Sequence, residues 1–218
     1  MTFDSFLAQI GPQADQGYKW DTWKIHEEKD AADTGYRDRL YALGEAQAFV
    51  VCLATAECIV AGIGAHDPEN WIRDYVQSAW AGFSDTTGPR YFETDDADWR
   101  GPQREMLALT LIVVNDALFC RDERSHIAYR ADWLLFYGQK LYGRLPAFNG
   151  WVETLVTRLE ALGKGPDDTP IESNDLPLRP TFSRRFLNFD RAYDEAAETA
   201  ALEADLARWT GQGNLFLN

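Results

Sequence analysis

Two carboxylates interrupt apolar helical runs. Glu57 lies within AQAFVVCLATAECIVAGIGA, residues 46–65, and Asn115-Asp116 separates Leu111-Ile112-Val113-Val114 from Ala117-Leu118-Phe119. A carboxylate in such surroundings must be paired, hydrogen-bonded or protonated, and active sites draw on such groups for acid–base work. If Glu57 and Asp116 faced one pocket inside a helical bundle, they would point to an enzyme. The plainer alternative puts them on exposed helix stripes or beside an arginine such as Arg121.

A second constellation is acidic and aromatic. Glu93, Asp95, Asp96 and Asp98 crowd into one short segment, framed by Tyr91, Phe92 and Trp99. Rings supply buried area at a protein interface, while charge supplies steering and specificity. These seven residues are therefore the candidate partner-binding site. Calcium is a rival for Asp95-x-x-Asp98, but the alternating ligands, glycine and terminal glutamate of a calcium loop are missing. Further acid lies at Asp167-Asp168, Glu172 and Asp175, and at Asp190, Asp194, Glu195, Glu198, Glu203 and Asp205 near the C-terminus. The bland reading of all these runs is a solvated face.

Other chemistries find no foothold. His26, His66 and His126 are scattered and form neither HxxxH nor HExxH, and the paired Glu-x-x-His motifs of a di-metal bundle are missing. Gly62-Ile63-Gly64 follows a helix instead of a strand, the wrong context for a phosphate-binding loop. No Gly-x-Ser-x-Gly occurs. No metal and no cofactor are expected. Cys52, Cys58 and Cys120 are odd in number and sit in apolar stretches, which fits buried free thiols. Cys52 and Cys58 would point about 120° apart on a helix, so they should neither pair nor share a metal. With no basic, apolar leader at residues 1–6, a reducing, cytoplasmic setting is expected.

Helical periodicity organises the chain. Residues 3–10 form a short amphipathic helix closed by Gly11-Pro12, and residues 21–32 a polar one. Residues 36–62 read as one long helix with Gly44 as its bending point. Asp67-Pro68-Glu69 restarts the helix, with Asp67 as N-cap. Pro102, Ser125 and Asn149 open three more helices, and Gly163 closes the last of these. Residues 164–180 form a long loop before an acidic helix over 190–209, and the apolar tail Asn214-Leu215-Phe216-Leu217 should dock on the body. No strand alternation is present. The reading is all-α: one domain over 1–218, about seven helices, with two apolar ones, 36–62 and 102–122, at its centre. Residues 46–65 are long enough to span a bilayer, but Gln47 and Glu57 interrupt them, as suits a soluble core helix.

Composition bears on partners. The 218 residues carry 35 Asp+Glu against 21 Lys+Arg, a net charge of −14. That field repels phosphate backbones and anionic membranes and attracts basic protein surfaces. Nucleic acid and membrane are therefore not expected as partners. Eight Trp, nine Tyr and twelve Phe are too many for an acidic disordered chain, so the charge sits on a folded body. In size, acidity and lack of a catalytic motif the chain resembles the all-α immunity proteins of bacterial toxin systems. That resemblance matches no motif residue by residue and assigns no site. What it implies is an acidic module that neutralises a basic protein partner, such as a toxin or nuclease domain, by covering its surface.

Overall fold

Residues that are apolar on every side of a helix leave it nowhere to go but the interior. Every position from Ala46 to Ile59 is buried. The computed structural model describes residues 2–15, 17, 27–29, 33–67, 69–84, 88–92, 99–120, 126–163 and 177–217. Their helices are α1 (Phe3–Ile10), α2 (Arg37–Ala42), α3 (Glu45–Ile63), α4 (Trp71–Ala79), α5 (Pro102–Phe119), α6 (His126–Tyr142), α7 (Pro146–Ala161) and α8 (Glu195–Gly211). 3₁₀ turns occupy Gly11–Gln13, Gly64–His66, Trp80–Phe83 and Arg184–Leu187. Among the described residues there is no strand, and the molecule is a single-domain all-α bundle.

Two features of the expected architecture are corrected. With a helical stretch at 27–29 the described helices number nine, not about seven. Among the described residues only α3 is long and apolar enough to cross a membrane, and most of it is buried inside the protein. The helix that packs most extensively on α3 is α6, not α5. Gly138 permits that approach: a Cβ there would meet Phe148 Cζ at 2.9 Å and Thr55 Cγ2 at 3.1 Å. Helix α5 has one outward stripe, with Ile112 and Asp116 on it, so it flanks the centre instead of sharing it.

Helix ends depart from expectation where side chains cap at a distance. The expected single helix over 36–62 is two, because Leu43 and Gly44 are extended. Gly44 has little to lose by leaving the helix, and Gln47 accepts its N–H at 2.8 Å. Helix α4 begins at Trp71, not after Asp67, yet Asp67 still caps it by accepting the Ile72 N–H at 2.7 Å. Pro146, not Asn149, opens α7. Asp194 caps α8 by accepting the Ala197 N–H at 2.8 Å, so that helix starts later than 190. Gly163 after α7, with φ +69°, behaves as the sequence suggests, and Thr2 caps α1 by accepting the Ser5 N–H. The tail docks as expected: Asn214 donates to the Asp74 carbonyl at 2.8 Å, and Phe216 packs edge-on against Tyr75 and Phe92.

Candidate functional site

Asn115 is a tie, not a catalytic group. It is buried on α5, where its Oδ1 accepts from the Tyr75 hydroxyl of α4 and from the Phe92 N–H at 3.2 Å. Phe92 is half-buried, with its ring 6.1 Å from Trp71 and 5.0 Å from Phe216. The chain entering the acidic segment is thus fixed to the body at residue 92. Tyr91, one residue earlier, is 52% exposed and meets Phe119 edge-on at 5.6 Å. Ile112, Asp116 and Phe119 follow i, i+4, i+7 spacing on one stripe of α5, and Ile112 is 36% exposed. Tyr91, Ile112 and Phe119 together make an apolar ledge.

Trp99 does not belong to that ledge. It is 3% exposed, with the Arg104 guanidinium 5.0 Å over its ring. A large ring beside the start of α5 gains more from the core than from solvent. Its expected place as an exposed anchor is corrected: it holds the far end of the acidic segment to the body. Glu93, Asp95, Asp96 and Asp98 lie outside the described residues.

The two carboxylates expected to share a pocket are paired separately. Asp116 binds Arg130 Nη2 at 2.8 Å, so its partner is Arg130, where the sequence suggested an arginine such as Arg121. Glu57 accepts from the Trp80 indole at 2.8 Å and from Arg184 Nε at 2.9 Å, and Arg184 Nη2 lies 2.8 Å from its other oxygen. Arg184 Nη2 also donates to Asp4 at 2.6 Å. Burial pulls the Arg184 guanidinium pKa down, but the charges and hydrogen bonds of Glu57 and Asp4 outweigh it and hold the pKa above its ordinary value. Side-chain exposure is 9% for Glu57 and 14% for Arg184. Glu57 lines a cavity of about 230 Å³ with residues of α1, α3, α4 and the Arg184 turn; Asp116 takes no part in it.

No protein-family model matches the chain, and no curated protein or solved structure matches it either.

Two further carboxylates are buried: Asp132, which the sequence did not single out, and Glu198, whose expected place on a solvated acidic face is corrected. Asp132 on α6 accepts from Thr34 Oγ1 at 2.5 Å and from Arg37 Nε at 3.0 Å. Glu198 on α8 accepts from Ser183 Oγ at 2.6 Å and Arg185 Nη1 at 2.5 Å. Both left a trace. Asp132 stands between Ala131 and Trp133 in an apolar helix, and Glu198 heads the stripe Leu202, Leu206, Trp209. Each ties a connecting segment to a helix. Cys52 and Cys58 are buried free thiols whose pKa burial pushes up, and Cys120 is half-buried. Among the described residues no group of three or more His, Cys, Asp or Glu is placed to hold a metal ion.

Proposed function

We propose that this protein is an acidic protein-binding module, and specifically an immunity- or antitoxin-type inhibitor that covers a basic surface of its partner. The observation that carries the reading is the ledge of Tyr91, Phe119 and Ile112, held in place by the Asn115 tie and continuous in sequence with Glu93, Asp95, Asp96 and Asp98. Apolar side chains give such a contact its buried centre, and acid at its edge recruits lysine and arginine on the partner. The separate pairing of Glu57 and Asp116 removes the geometric support for an enzyme that uses both. The proposed setting is the cytoplasm, with no nucleic acid and no membrane among its partners.

The test is capture of the partner from the native host, followed by kinetics at two salt concentrations. Asp95, Asp96 and Asp98 changed together to Asn should slow association at low salt, and the effect should shrink once the Debye length falls to about 8 Å and below. Tyr91→Ala should act after contact and raise the dissociation rate, by about 1–2 kcal/mol. If neither variant changes either rate while Glu57→Gln or Asp116→Asn abolishes a measurable turnover, the inhibitor reading fails and the enzyme reading replaces it.

A further inference from the structure

The geometry points to a second site: a pocket for a small aliphatic carboxylate, between α1, α3, α4 and the Arg184 turn. Its volume of about 230 Å³ lies below the range usual for drug-sized ligands, so its occupant must be small. Leu7, Val60 and Val76 form apolar walls, and Glu57 and Arg184 line it beside them. Arg73 and Gln77 complete it from the same face of α4 as Val76.

The donors in this pocket outnumber its acceptors. A guanidinium carries five N–H groups in a rigid fork. Arg184 spends Nε and Nη2 on Glu57 and Asp4, and its Nη1 has no acceptor among the described residues. Glu57 already accepts from the Trp80 indole and from Arg184, so its charge is matched. Arg73 is a second cation on the same cavity. It is 51% exposed, and its contact with Asp74, at 3.4 Å, is longer than a normal hydrogen bond. The Gln77 side-chain amide has no hydrogen bond among the described residues and adds two N–H donors. The carboxylates in reach are Glu57, Asp4 and Asp74. Glu57 and Asp4 are held by Arg184, and Asp74 meets Arg73 only at 3.4 Å, which leaves the Arg73 fork open to a better-placed acceptor.

A ligand that suits this set brings one anionic acceptor for Arg73, Gln77 and Arg184 Nη1, and a short hydrocarbon tail for Leu7, Val60 and Val76. An alkylammonium would face two guanidinium groups. A bare phosphate would leave the apolar walls uncovered. A carboxylate answers both demands, because it accepts the planar fork of an arginine bidentately. This site uses different residues from the Tyr91 ledge, so either proposal can fail alone.

The experiment is an NMR titration of the full chain, labelled at its methyl groups, with hexanoate, hexanol, hexylammonium and inorganic phosphate. Hexanoate should shift the Leu7, Val60 and Val76 methyl resonances saturably, and more strongly than the other three probes. Arg73→Ala should weaken hexanoate about tenfold or more, as the loss of one charge-assisted contact predicts. Its melting temperature should hold, since Arg73 is half exposed. Gln77→Ala should weaken hexanoate less than Arg73→Ala. The proposal is overturned if hexanoate gives no saturable shift, if hexanol, hexylammonium or phosphate matches it, or if Arg73→Ala binds hexanoate as tightly as the parent chain.

Discussion

Glu57 survives in the central helix because Arg184 and the Trp80 indole donate to its carboxylate, so burial costs little until a partner is removed. Arg184→Met should destabilise the fold by about 3–5 kcal/mol, since it strands a buried carboxylate. Glu57→Gln combined with Arg184→Met should recover much of that loss, because neither charge then needs compensation. Urea titrations of the two single variants and the double variant measure the coupling. Nearby thiols offer a second check. Cys52 and Cys58 should resist a thiol reagent in the native protein, since burial keeps both protonated and covered, and Cys120 should react first. Glu57 was visible in the sequence as an oddity within an apolar run. Its partner was not, because Arg184 stands 127 residues away and nothing local marks the pair. Trp99 shows the converse: its neighbours in sequence are acidic, yet its ring packs inward beneath Arg104.

Helices were more legible than their ends. Period and apolarity identified seven of the eight bounded helices, because burial of a face leaves a repeat in the sequence. What failed were the boundaries at Gly44 and Asp67, where a side chain several residues away caps the backbone, the start at Asn149, where Pro146 opens the helix with no side-chain cap, and the short 3₁₀ turn Arg184–Leu187, which has no repeat to detect. The centrality of α3 makes it the most sensitive element. Val51 is fully buried there, so Val51→Asp should cost several kcal/mol, comparable to the whole stability margin, and leave no cooperative melt by circular dichroism. Helix α2 is held differently. Arg39 binds Glu153 at 2.8 Å and Glu160 at 2.7 Å on α7, and its hydrogen bonds lower the pKa of both carboxylates. A lowered carboxylate pKa contributes stability above its unfolded value and loses it as pH falls through the folded one. Arg39→Gln should therefore lower stability at neutral pH by no more than about 1 kcal/mol per exposed pair, and the difference should fade as pH falls below about 4.5, which flattens the acid limb of a stability–pH curve. Asp74 runs the other way: burial raises its pKa, so its contribution is largest at low pH and is lost as pH rises through the folded value.

At the scale of the whole molecule the excess of acid is sharpened by how the cations are used. Arg37, Arg39, Arg130, Arg144, Arg184, Arg185 and Arg208 each engage a carboxylate within the protein. These cations are therefore spent on internal ties, while acidic side chains such as Asp38, Glu69, Asp190 and Glu203 face outward. Binding to a nucleic acid backbone requires several free cations to displace condensed counterions along a track. The pocket at Arg73 and Arg184 gathers two guanidinium groups, but one of them is committed to Glu57 and Asp4, and the cavity is far smaller than a duplex groove. The purified protein should show no binding to duplex DNA or RNA at physiological ionic strength, by anisotropy of a labelled oligonucleotide. Lowering the salt should not reveal any, because the net charge of −14 makes the long-range term repulsive and low salt strengthens it. A basic protein bearing lysine and arginine on a concave face should behave oppositely, associating faster as salt falls. Binding to nucleic acid that grows as salt is lowered would mean that the cations are not held as these pairs hold them, and it would remove the electrostatic basis for a basic protein partner at the same time.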